Sequence, residues 1–173
     1  MIAFISKERF FAAAAATGDS YWRKSAVGRW RYMDRVIRML RKHRPHSMLE
    51  LGAKGIPLSP VSDTMDIEDC PGLTYLHDAD KFPWPVKDRQ YEGFMALQVL
   101  EHLRDKESAM RESFRVSGTV VWSVPYMWPK HRGDHAGIGI PQMVAWAGGL
   151  QPAETKIVGL RNRRLICVWR TMP

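Results

Sequence analysis

"HSMLELGAKGIPLSPVSDTMDIED", residues 46–69, is a short apolar run, a glycine turn, two prolines and a second short run ending on an acid. Runs of four to eight residues bounded by Gly and Pro read as strands; helices need longer periodic stretches. Residues 47–52 and 62–67 are therefore strands, and the turn between them contains Gly52, Lys54 and Gly55. Glycine lets a backbone approach a ligand closely. In open parallel sheets, ligands sit where strands end at their carboxyl edge. Glu50, just before the turn, and Asp66, at the end of the second strand, both fall on that edge.

Moving outward, "LTYLHD" (73–78), "YEGFMALQV" (91–99) and "GTVVWSVP" (118–125) continue the strand rhythm. Between the last two lies "LEHLRDKESAMRESFRV" (100–116), read as one amphipathic helix with Leu100, Leu103, Met110 and Phe114 facing inward. A helix over "PQMVAWAGG" (141–149) follows, and "AETKIVG" and "RRLICVWR" flank the tight turn "LRN" as a hairpin. Strands alternating with crossovers predict an α/β fold: a Rossmann-like, doubly wound, mostly parallel sheet with a C-terminal antiparallel hairpin. Two crossovers are shortened, "AKGIPLSPV" and "EDCPG" being too brief for a full helix. Upstream, "SKERFFAAAAATG" predicts a short helix. "GRWRYMDRVIRMLRKHRP" (28–45) predicts a second, with Trp30, Met33, Ile37 and Leu40 on one face and arginines over most of the rest. Residues 1–45 are expected to form a helical extension or cap, and 46–173 a compact domain, in a single globular unit.

The chain has 173 residues with a net charge of +8, which favours anionic partners: nucleic acid, head groups or a phosphorylated small molecule. Its two cysteines, Cys70 and Cys167, are far apart and suit a reducing interior, so a cytoplasmic protein is expected. Lys7, Glu8 and Arg9 interrupt the N-terminal apolar run, and no membrane span is expected. After the fifth strand, "PYMWPKHRGDHAGIG" (125–139) is dense in proton-exchanging groups. His131, Asp134 and His135 match no strong ligand spacing, so no metal is expected.

The succession "ELGAKG", "SDTMDIED", "LHDADKFPWP", "YEGFMALQVLEHL" and "GTVVWSVPY" resembles the class I S-adenosylmethionine-dependent methyltransferases, in particular the small-molecule type with an "LEH" run after the fourth strand. The resemblance spans Met48 to Val168, and "QVLEHL" is its most specific piece. It implies that the Glu50–Gly52–Gly55 turn passes beneath the methionine part of the cofactor and that Asp66 accepts the ribose hydroxyls. It further implies that Asp78 and the Ala79 backbone face the adenine, that Leu97 and Gln98 line the sulfonium, and that Tyr21 and Trp22 cover the cofactor. Trp22 and Tyr21 have a second reading as core anchors of the N-terminal helix. Lys54 departs from the family's third-glycine pattern; it argues against a dinucleotide, whose phosphates press on such a turn. It argues less against S-adenosylmethionine, which has no phosphate.

Methyl transfer needs alignment of acceptor and methyl carbon, and a base only for an acceptor that holds its proton tightly. His135 and His131 are the first candidates for that base and His102 the second. The leading expectation is a methyltransferase acting on an O or N atom of a small molecule, anionic or sugar- or lipid-linked. Behind it stand an RNA or protein methyltransferase using the basic N-terminal helix, and a methyltransferase-like module that binds without chemistry. The sequence leaves the oligomeric state open.

Overall fold

The computed structural model describes residues 1–129, 136–160 and 162–171. Two helices come first. Ser6 caps α1 (Lys7–Ala16) by accepting the Arg9 amide at 3.3 Å, and Asp19 caps α2 (Ser20–His43) by accepting the Tyr21 amide at 2.8 Å. The second helix therefore begins eight residues before Gly28, where sequence periodicity placed its start. Gly28 sits in its interior at a cost of about 1 kcal/mol relative to alanine. Buried Trp22 and Ala26 on the added turns supply the packing that offsets it. The helix ends at Arg44, whose left-handed φ of 49° precedes Pro45.

Seven strands follow: β1 (Met48–Leu51), β2 (Asp63–Asp66), β3 (Tyr75–Leu76), β4 (Tyr91–Leu97), β5 (Ser117–Pro125), β6 (Glu154–Val158) and β7 (Arg164–Arg170). They form one sheet in the order β3-β2-β1-β4-β5-β7-β6. All pairings are parallel except those of β7, which runs antiparallel to both β5 and β6. This is the expected doubly wound sheet with its hairpin. The connections β1–β2 and β2–β3 contain no helix, in agreement with their length.

The segment 100–116 is not one helix. Leu100–His102 makes a 3-10 turn, the chain extends at Leu103, and α3 (Lys106–Val116) starts afresh. Asp105 caps α3 through the Ser108 amide at 2.9 Å, while Asp80 accepts the amides of Arg104 and Asp105. Acceptors on both sides of the break thus satisfy the donors that a continuous helix would have used.

Residues of α1 and α2 pack on one face of the sheet, where Val36, Ile37 and Leu40 meet Met48, Met95, Val121 and Ile166. On the other face α3 and α4 (Ile140–Trp146) cover Phe94, Val120, Trp122 and Trp169. Alternate residues of β5 serve opposite layers, as the pleat requires. The first 45 residues are thus an entire layer of the core. No helix is long and apolar enough to cross a membrane among the described residues.

Candidate functional site

The turn after β1 owes its shape to three residues with left-handed backbone: Gly52 (φ 73°), Lys54 (φ 49°) and Gly55 (φ 74°). Only at Lys54 does this strain an L side chain, by about 1–2 kcal/mol. Asp66, at the end of β2, offsets the strain: its Oδ2 accepts the Lys54 amide at 3.1 Å, and its Oδ1 accepts the Glu68 amide at 3.3 Å. The lysine side chain runs toward α2, its Nζ 4.6 Å from the Tyr21 ring centre and 3.9 Å from Asp19 Oδ2. A Cβ on Gly52 would collide with Val99 Cγ2, so the turn lies directly against the end of β4.

Glu50 is engaged by the loop that follows the turn. Its carboxyl is buried and accepts the Leu58 amide at 2.8 Å, so it organises the loop that replaces the missing crossover helix. Burial pushes its pKa up to about 8, against the Leu58 amide, the Arg29 charge and the Ser59 amide. Asp78 Oδ1 takes the Asp80 amide at 3.0 Å, and buried Ala79 gives its carbonyl to Trp84 Nε1 at 3.1 Å. Gln98, with φ of 62°, ties β4 to β5 through Ser123, its Nε2 donating to Ser123 Oγ at 3.1 Å.

A cavity of about 900 Å³ opens beside this edge, between α2 and the β6–β7 hairpin. Tyr21, Gln98, Glu101 and His102 line it, together with Arg29 and Arg164. Buried Trp22 packs edge-on against Phe10, 5.8 Å between ring centres, while Tyr21 stays half-exposed above the turn. His102 is exposed, its Nε2 3.9 Å from the buried Glu101 Oε1. His131 and His135 lie outside the described residues. Among the described residues, no three His, Cys, Asp or Glu side chains gather as a metal site.

Arg29 escaped the sequence reading. Its Nη2 donates to the Leu97 carbonyl at 3.3 Å, its Nε to Tyr32 Oη at 3.0 Å and its Nη1 to Tyr21 Oη, and its guanidinium lies over the Tyr21 and Trp22 rings. Burial opposes its charge, yet Tyr32, Tyr21 and Glu101 hold its pKa above the ordinary value. The signal was available: Trp22, Ala26, Arg29, Met33, Val36 and Leu40 recur at spacings of three and four, which makes Arg29 the one charge on an apolar stripe. Arg164, at the start of β7, carried no comparable signal.

The strand order, the single reversed strand and the edge where turn, Asp66 and Gln98 converge decide the architecture. The fold is that of the class I methyltransferases. The methyltransferase domain of a bacterial CtHen1 superposes with a TM-score of 0.62 at 13% identity, over 82% of this chain and 98% of that one. The N-methyltransferase NodS from Bradyrhizobium japonicum WM9 gives 0.60 at 14% identity, over 82% and 95%. The N-terminal domain of EvdMO1, determined in the presence of SAH and D-fucose, gives 0.54 at 15% identity, over 81% and 82%. No family profile and no curated protein matches the chain in sequence. In this chain no helix follows β1 or β2, on the Asp66 side of the sheet.

Proposed function

We propose that the chain is an S-adenosylmethionine-dependent methyltransferase acting on an O or N atom of a small molecule. The observation that carries this reading is the convergence of the glycine turn, Asp66 and Gln98 on one edge of the sheet, with the large cavity opening beside it. The donor set fits the cofactor. A carboxylate offers about four acceptor positions, and the two backbone amides on Asp66 leave room for a ribose diol. Arg29 supplies a counter-charge for an amino-acid carboxylate at the end of β4.

When bound, S-adenosylmethionine supplies a methyl group on a sulfonium. The Gly52–Gly55 turn and Val99 form the floor under its methionine part, and Asp66 holds the sugar. Asp78 and Ala79 border the adenine, with the Ala79 carbonyl already given to Trp84. Leu97 and Gln98 line the approach to the cavity, and Tyr21 roofs it. The chain's main work is to align the acceptor and exclude water. An alcohol acceptor requires a base; His135 and His131 are proposed first, and His102, which lines the cavity, second. A neutral amine requires none.

Calorimetry with S-adenosylmethionine and S-adenosylhomocysteine tests the reading, and saturable binding of both is expected. Asp66→Ala weakens that binding by about 1–3 kcal/mol through lost hydrogen bonds to the sugar; an unchanged affinity removes Asp66 from the site. A second reading, a module that binds without chemistry, draws on the engagement of Asp66 by the Lys54 amide. Absence of heat from both ligands with the folded chain would favour it.

A further inference from the structure

The cavity between α2 and the β6–β7 hairpin has an imbalance of charge of which the methyl-transfer reading uses only Arg29. Lys24, Arg29, Arg31 and Arg164 line it, and Glu101 is the one carboxylate among its described lining residues. Arg164 is the most exposed to cost. Its guanidinium stacks on Trp128, 4.0 Å from the ring centre, and its Nε is buried without a hydrogen-bond partner among the described residues. Nη1 has only a long contact, 3.4 Å, to the Asn162 carbonyl. Burial lowers the Arg164 pKa; Tyr32 and Glu101 act against the fall, and Arg29 adds to it. The two guanidiniums repel each other in a partly desolvated space, and Tyr32 and Glu101 do not fully compensate Arg164.

An anion bound to Arg164 would offset that cost. Guanidinium forks match phosphate and carboxylate oxygens in bidentate fashion. With Arg29 given to the cofactor carboxylate, Lys24, Arg31 and Arg164 still exceed the single acid by two charges, which suits a multiply charged group better than one carboxylate. Pro125, Pro129, Val158 and Leu160 give the wall an apolar part that suits an organic body. We propose that this cavity binds a small molecule through a phosphate or pyrophosphate group held by Arg164, Arg31 and Lys24. The position beside Gln98 and His102 makes that molecule the methyl acceptor, a role that rests on the function proposed above; the anion site itself does not.

The probe is inorganic pyrophosphate, titrated calorimetrically into the full chain with and without S-adenosylhomocysteine. Saturable binding is expected. Arg164→Gln and Arg31→Gln should each weaken it about tenfold through loss of a charged hydrogen bond. Arg31 is exposed on α2, so its variant folds even if Arg164→Gln does not. Arg38→Gln, on the outer surface of α2 and paired with Asp34, should leave it unchanged. Absence of saturable binding would overturn the proposal. So would equal weakening by Arg38→Gln, acetate binding as tightly as pyrophosphate, or a short RNA oligonucleotide binding more tightly through Arg38. Pyrophosphate binding without S-adenosylhomocysteine binding would uphold the anion site and remove the methyl-transfer reading.

Discussion

Gly52 and Glu50 sit two residues apart and are constrained for opposite reasons. Gly52 combines a positive φ with contact against Val99, a β-branched side chain that has little freedom to turn aside. Gly52→Ala should destabilise the chain by about 2–4 kcal/mol, the sum of a left-handed penalty and an overpacking one. Denaturant titration of Gly52→Ala, Val99→Ala and the double variant separates the two, because removing the valine methyls relieves only the overpacking. At Glu50 the constraint is a proton. With its pKa pushed up to about 8, the folded chain keeps a proton that the unfolded chain releases near its ordinary value of 4.5. Folding stability from this site is therefore present in acid and declines as pH rises between those two values. Glu50→Gln abolishes that slope, so melting at about pH 5 and about pH 8 should show the variant gaining on the wild type at the higher value.

Among the elements, α2 matters most to the site, because its first turns stand over the glycine turn and its middle borders the cavity. Asp19→Ala removes its N-cap and should cost about 1 kcal/mol, read as a lower denaturation midpoint. Lys54→Met, which removes the exposed 3.9 Å pair with Asp19 and the Nζ contact with the Tyr21 ring, should cost no more than that. Most strands were legible in the sequence because they are short runs closed by Gly, Pro or Asp, as β1, β2, β5 and β6 are, while β4 and β7 were legible from their apolar content. The short crossovers were legible because chain length alone forbids a helix there. The split at Leu103 was hidden: residues 100–116 keep helical spacing across the break, and Asp80, whose carboxylate receives the freed amides, is remote in sequence. The start of α2 was hidden because an interior glycine imitates a boundary. At the site, the positions of the turn, Asp66 and Gln98 could be read from order along the chain. Arg164 could not, since its neighbours Trp128 and Tyr32 come from other elements.

For the whole molecule, residues 1–45 form a layer of the core. Ile2 donates its amide to the Pro45 carbonyl at 2.7 Å and Ile5 to the Leu58 carbonyl at 2.8 Å, so even the first residues are tied down. A chain beginning at residue 46 would bare Met48, Met95, Val121 and Ile166, and should lose cooperative unfolding in calorimetry; a sharp transition in that fragment would show the layer to be dispensable. The two helix-free crossovers have a further result. They put β2 and the two-residue edge strand β3 on a side of the sheet with no crossover helix between β1, β2 and β3, and the amides there should exchange with deuterium sooner than those of the central β4 and β5. Asp66 stands on that flank, at the end of β2. A nucleoside seated against Asp66 would knit the frail margin together, so its association should liberate heat and forfeit entropy.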